Sequence, residues 1–208
     1  MDADEVFVPA TYRSAELPAL IRSHGRSPVI VFDLETNGLS AASSVVSCAA
    51  LKFSIDPARP ALHETERFLR YYFPEEQPDP RAERVHGLTI EEIGRRRGEA
   101  DYPRHFSEDP DFADFCADVP LFVAHNIDFD AAFVPFLLSR DRFCTMKSNN
   151  RGKWPKLHEA ARRYGVEYDP SLFHDSLYDA QITARIFDLM LQRLSPEDLP
   201  GGELFPPS

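Results

Sequence analysis

Residues 29–39, Val29-Ile-Val-Phe-Asp33-Leu-Glu35-Thr-Asn-Gly-Leu39, decide how the rest of the chain is read. An apolar run about one strand long ends in two carboxylates separated by a single residue. Successive strand side chains point to opposite faces, so Asp33 and Glu35 share one face. An apolar run without alternation suits a central strand covered on both sides. Two like charges at its carboxyl end are costly unless a cation joins them, and oxygen ligands favour magnesium or manganese. An Asp-x-Glu pair by itself also fits a solvated strand end, so the rest of the chain must supply further ligands.

A chain of 208 residues has room for one well-buried α/β domain and is short for two. Its composition, 43% hydrophobic and 27% charged, is that of a soluble globular protein. No apolar run approaches the roughly 20 residues of a membrane span, and the acidic N-terminus lacks the regions of a secretory signal. Cys48, Cys116 and Cys144 are isolated and odd in number, which predicts free thiols in a reducing, cytoplasmic setting and no zinc site. A net charge of -11 argues against a polyanionic partner, but its distribution is uneven. Between Asp141 and Arg163 seven basic residues face two acidic ones, a local +5. Within that stretch Lys147, Arg151 and Lys153 are candidates for a phosphate track; a solvated loop and helix face is the alternative.

Outward from the opening strand, residues 1–27 read as a polar N-terminal extension with a short helix over 14–23. Strands are predicted over 45–53 and 63–73, and an acidic, proline-rich loop over 74–80. Thr89-Ile-Glu-Glu92 has the spacing of a capping box opening a short helix. Residues 94–106, with Arg95-Arg96-Arg97, read as a charged, mobile loop. A helix near 109–117 precedes a buried strand over 120–124, and Asn126 is placed to cap a helix over 127–139. A fifth strand is predicted over 142–146. Leu157, Ala160, Ala161 and Tyr164 form one face of a helix ended by Gly165. The last helix carries Leu177, Ala180, Ala184, Phe187, Leu191 and Leu194, and Pro196 stops it. Residues 195–208 form a flexible tail. The order suits one mixed five-stranded sheet flanked by helices, in a domain spanning 28–194. Ligands on such sheets collect at the carboxyl ends of strands, where Asp33, Glu35 and His125-Asn126 fall.

Two more stretches bring acid groups to that edge: His125-Asn126-Ile-Asp128-Phe129-Asp130 and His174-Asp175-Ser-Leu-Tyr-Asp179-Ala180. On spacing alone, Asp128 competes with Asp130 and Asp175 with Asp179. Together the three stretches resemble the motifs of the DEDDh exonucleases, the family of the polymerase III proofreading epsilon subunit, RNase T and oligoribonuclease. The first motif matches at Asp33, Glu35, Thr36 and Gly38. The second matches at His125, Asn126, Phe129 and Asp130, and the third at His174, Asp179 and Ala180. Val85-His86-Gly87-Leu88-Thr89 resembles the segment between motifs one and two. The tyrosine subclass would place a tyrosine where this chain has Asp175, so the histidine subclass is favoured. Cys144-Thr145-Met146 departs from the Asp-Thr common in epsilon-like members.

The resemblance, over roughly residues 28–193, implies an RNase H-like fold and a metal-dependent 3'-to-5' exonuclease releasing nucleoside 5'-monophosphates. It implies two Mg2+ or Mn2+ ions held by Asp33, Glu35, Asp130 and Asp179, with Asp33 shared between them. His174 would take the proton of the attacking water. Thr36 and Leu39 match the positions that cradle the terminal nucleotide, with Leu39 a wedge against the last base. Asn126 fits either a helix cap or a substrate contact, and His86 either a packed turn residue or a ligand. The implied partner is a nucleic acid with a free 3' end, DNA being favoured over RNA. The apolar pair Leu204-Phe205 is a candidate docking peptide for a polymerase or another nucleic-acid-processing protein. A catalytically weak nucleic-acid- or polymerase-binding module, an RNA-trimming exoribonuclease and an endonuclease are the competing readings.

Overall fold

The structure is a computed structural model, and it describes residues 11–12, 16–56 and 61–195. The expected tail over 195–208, apart from Ser195, and much of the expected N-terminal extension lie outside the described residues.

One sheet organises the fold. β1 (Thr11–Tyr12), β2 (Val29–Thr36), β3 (Val45–Ile55), β4 (Leu62–Tyr71), β5 (Leu121–Ala124) and β6 (Asp141–Cys144) lie in the order β1-β6-β5-β2-β3-β4. β2, β3 and β4 form an antiparallel meander, while β5, β6 and β1 run parallel to β2. The five expected strands are all present. The sixth, β1, is a two-residue addition pairing Thr11 with Arg142 and Tyr12 with Phe143.

β2 is buried on both faces, as its unbroken apolar run requires. Val29 and Val31 face α1 (Leu17–His24), α7 (Leu157–Tyr164) and α8 (Ser176–Leu191). Ile30, Phe32 and Leu34 face α4 (Asp111–Phe115) and α5 (Ile127–Ala132). Continuing the alternation puts Asp33 and Glu35 on the α8 side. α1 is part of this packing, with Leu17, Leu20 and Ile21 buried, so the extension contributes to the core rather than merely leading into it.

Three local expectations need correction. The helix expected over 127–139 stops at Ala132, and a separate 3-10 turn covers Pro135–Ser139. Pro135 is the cause, because a residue preceding proline is held out of the helical region. The strand expected over 142–146 ends at Cys144, where α6 (Thr145–Ser148) begins. The run of arginines is not a mobile loop. It forms the last turn of α3 (Ile90–Arg97), which follows α2 (Pro80–His86) and is capped by the Thr89 hydroxyl accepting from the Glu92 amide at 3.2 Å. Arg97 donates to the carbonyls of Tyr71, Tyr102 and Pro103. Among the described residues no helix is long and apolar enough to cross a membrane. The three cysteines are free and buried.

Candidate active site

The ladder between β2 and β5 ends at Val31 with Val123, so the last residues of β2 extend beyond their parallel neighbour. Asp130, near the end of α5, occupies that step. Its Oδ1 accepts the Leu34 amide at 3.2 Å, which satisfies a strand N–H and holds the carboxyl beside Asp33. On the other side, Glu35 pairs across the ladder with Ser47, whose Oγ lies 2.6 Å from Ser176 Oγ at the start of α8. That buried contact fixes the first turn of α8 over the strand end and sets Asp179 above Glu35.

His174 precedes this helix with φ at 68°, a left-handed conformation that costs a non-glycine residue about 1–2 kcal/mol. Its amide donates to Asp179 Oδ2 at 3.1 Å. Asp175 caps α8, its Oδ1 accepting from the Leu177 and Tyr178 amides at 3.1 and 3.2 Å. Ligand atoms of Glu35, His174 and Asp179 all fall within 4.8 Å of one another. Asp179 Oδ1 is buried with no hydrogen-bond partner among the described residues.

The two alternatives left open by spacing resolve through their partners. Asp175 Oδ2 is held by Arg96 Nη1 at 2.7 Å, and Asp128 is ion-paired with Lys147. Asp130 and Asp179, by contrast, point into the carboxyl cluster and make no ion pair among the described residues.

The electrostatic consequence is large. Burial, then Asp130, Glu35, Asp179 and Asp175, push the Asp33 carboxyl well above its ordinary value. Glu35 is pushed up by burial and then by Asp179, Asp130 and Asp175. Burial raises Asp130 to about 7 against the opposing Leu34 amide, and raises Asp179 to about 7 against the opposing His174 amide. Four carboxylates cannot all ionise here at neutral pH without a counter-cation. The orphaned oxygen of Asp179 and an all-oxygen set with one imidazole fit a hard divalent ion. His174 is exposed, and burial followed by Lys156 lowers its imidazole below the usual value, leaving it neutral near pH 7.

Two cavities meet this cluster. One, of about 380 Å3, is lined by Asp33, Asp179, His174, His125 and Lys156. The other, of about 500 Å3, is lined by Glu35, Thr36, Leu39, Val85, His86 and Phe129. Leu39 is 90% exposed at its rim. The turn carrying it is rigid: Thr36 Oγ1 donates to the Gly38 carbonyl at 2.8 Å, and Asn37 Nδ2 donates to Glu76 Oε1 at 2.8 Å. A Cβ on Gly38 would meet Ser43 Oγ at 2.7 Å, so a larger residue there would have to turn the Ser43 hydroxyl aside.

Asn126 stands at the cap position of α5 but makes no side-chain cap bond, and its φ of 80° is left-handed. The capping role expected of it is therefore wrong; its carboxamide is not spent on the helix. His125 bridges the end of β5 to the following loop, with Nδ1 3.0 Å from Thr145 Oγ1 and Nε2 3.0 Å from the Pro155 carbonyl. His86 Nδ1 accepts the Leu88 amide at 2.9 Å, and its imidazole is half-buried against the Thr36 backbone. In the basic stretch, Lys147 is bound to Asp128 and Lys153 lies 3.5 Å from Glu159, while Arg151 is exposed and makes no ion pair among the described residues. Lys156 is the basic residue that lines the cluster's cavity, and the charge balance of residues 141–163 was its only signal in the sequence.

The model of the RNase T family, described as "Exonuclease", matches residues 30–187. The chain belongs to that exonuclease family. It is similar to DNA polymerase III subunit epsilon of Haemophilus influenzae, 27% identical over 134 residues, covering 58% of this chain and 50% of that protein. The RNase H-like exonuclease fold is shared with the zinc-bound E. coli Exonuclease I–ssDNA complex (TM-score 0.57, 20% identity, 81% of this chain and 41% of that one). It is shared also with Exonuclease X in complex with 5' overhanging duplex DNA (TM-score 0.53, 22% identity, 84% and 98%). This family member spans half or less of the length of the curated relatives it matches.

Proposed function

We propose that this exonuclease domain, in which α1 packs onto the sheet that carries the site, removes nucleoside 5'-monophosphates from 3' ends with two bound Mg2+ or Mn2+ ions. The observation that carries the reading is half-buried Asp33 clustered with the buried Glu35, Asp130 and Asp179, where Asp179 Oδ1 has no partner among the described residues and lies beside the imidazole of His174.

Asp33, Glu35 and Asp179 would hold one ion, and Asp33 with Asp130 the other. Bound there, such ions would offset the clustered negative charge and would supply charge stabilisation to the attacking and leaving oxygens of an in-line displacement. His174 stands at the mouth of the cavity and accepts the proton of the attacking water as the new P–O bond forms. Its depressed basicity keeps it unprotonated at neutral pH and ready for that step. Thr36 and Leu39 seat the terminal nucleotide in the larger cavity, Leu39 covering the last base, and Asn126 contacts the substrate from the end of β5. Arg151, with Lys147 and Lys153, follows the backbone farther from the cut.

DNA with single-stranded or frayed ends is the favoured substrate. The matched relatives include a polymerase subunit and Exonuclease I in complex with single-stranded DNA, and these support a role in proofreading, repair or end trimming. A polymerase or related partner docking on the segment containing Leu204-Phe205, in a cytoplasmic setting, completes the reading. A linear single strand and a circle of the same sequence test it. Degradation of the linear strand from its 3' end with an intact circle is expected. Cleavage of the circle, or release from the 5' end, overturns the reading.

A further inference from the structure

Trp154 is the only tryptophan of the chain, and it is 58% exposed. An indole left in water forgoes one of the larger burial gains available to a side chain. Its neighbours prevent it from folding away. Pro155 confines the residue before it to extended backbone. Pro155 is itself buried, and its carbonyl is held by His125 Nε2 at 3.0 Å. At the other end of the loop, Arg163 Nη1 donates to the Asn149 carbonyl at 2.5 Å and Asn149 Nδ2 donates to the Thr145 carbonyl at 2.8 Å. Residues 149–156 are thus fastened at both ends, with Arg151, Lys153, Trp154 and Lys156 exposed between.

That loop carries three basic side chains and no acidic one, in a chain of net charge -11. It also leads into the reaction site, because Lys156 lines the same cavity as Asp33, His174 and Asp179. A strand whose last nucleotide fills the Leu39 cavity, with its scissile phosphate at Asp33 and Asp179, leaves through the Lys156 cavity. A rigid aromatic face flanked by cations is what an unpaired base and its phosphates bind.

We infer that Trp154 is a stacking platform for an unpaired base upstream of the scissile bond, with Arg151 and Lys156 facing the neighbouring phosphates. The inference rests on the exonuclease reading and adds to it that the enzyme grips single strands: a duplexed base offers no free face.

Because Trp154 is the sole tryptophan, its fluorescence reports contact directly and without turnover. In the full chain carrying Asp33→Asn, 15-nucleotide oligo(dT) and oligo(U) are titrated alongside a blunt 15-base-pair duplex. Quenching by a single strand, with little by the duplex, is expected; the stronger of the two arms identifies the sugar. No quenching by either single strand, or equal quenching by the duplex, overturns the inference. In a second arm, Trp154→Ala raises KM for the preferred single strand about 10-fold with kcat within about twofold, and Trp154→Phe restores much of it. Hydrolysis of the p-nitrophenyl ester of thymidine 5'-monophosphate, which has no upstream base, stays at the wild-type rate. An unchanged KM, or equal losses on both substrates, contradicts the platform. If wild-type enzyme hydrolyses neither substrate, the exonuclease reading fails, while the fluorescence arm still decides the stacking.

Discussion

Arg96 Nη1 donates to Asp175 Oδ2 at 2.7 Å, joining the last turn of α3 to the residue that caps α8. Arg96 is itself held, its Nε donating to Glu92 Oε1 at 2.7 Å and its Nη1 to the Tyr71 hydroxyl at 2.9 Å. The strut ends one residue from His174, whose left-handed backbone must be kept in place by its surroundings. It also engages the one oxygen of Asp175 that is free of the cap, in a neighbourhood already crowded with carboxylates.

Asp175→Asn separates these roles, since asparagine caps a helix as well as aspartate but forms no ion pair. The melting temperature should fall by no more than about 3 °C, the equivalent of roughly 1 kcal/mol in a chain of this size. Loosening of the His174 turn should lower kcat about 10-fold, a modest part of what a misplaced catalytic group can cost. Steady-state kinetics beside a melting curve checks this. A wild-type kcat would show that the strut does not position His174.

The raised carboxyl groups make a pH prediction with a definite sign. Asp130 and Asp179 move from 3.8 to about 7 on folding, chiefly through burial. Between those values the unfolded chain has lost protons that the folded chain still holds, so stability falls as pH rises. In EDTA the melting temperature should therefore drop from pH 5 to pH 8. Added manganese should raise it more at pH 8 than at pH 5, because the ion competes with those protons. Asp130→Asn should flatten the metal-free curve. A metal-free protein that grows more stable toward pH 8 would contradict the charge cluster.

Asn126 offers a backbone test. With φ at 80° and no capping bond, glycine should be tolerated there, whereas alanine should cost about 1 kcal/mol. Urea denaturation of Asn126→Gly and Asn126→Ala measures the difference. If both variants raise KM alike, the freed carboxamide contacts the substrate. Equal stability of the two would count against the left-handed turn.

Salt dependence separates the basic residues. Lys147 is already neutralised by Asp128, whereas Arg151 is exposed at the loop. Arg151→Gln should reduce the slope of log affinity against log salt by about 0.7 for a single strand, and Lys147→Gln by much less. The reverse order would place the phosphate track on α6 instead.

Asp33, Glu35 and His174 stood out in the sequence because each sits where a local pattern changes, at a strand end or just before a helix. The elements carrying them were legible for the same reason: hydrophobic period and turn residues are local. Thr11–Tyr12 was not, because two residues carry no period and only pairing with β6 makes them a strand. Nor was the role of Arg96, since its partner lies 79 residues away and a run of three arginines reads equally well as a solvated loop. The choice of Asp130 over Asp128 and of Asp179 over Asp175 rested on resemblance alone; Lys147 and Arg96 supply the physical reason. The break at Ala132 was there to be read in Pro135, two residues after the last position a helix could comfortably hold.

Asp33, at the end of β2, is the residue proposed to join both metal sites of a 3'-to-5' exonuclease. That role is tested most directly by digestion of a 5'-labelled single-stranded oligonucleotide in manganese, with wild-type protein beside Asp33→Ala. The account predicts a ladder shortening from the 3' end, nucleoside 5'-monophosphate as product, and loss of both in the variant. No ladder from the wild type, or a ladder that persists without Asp33, would contradict it.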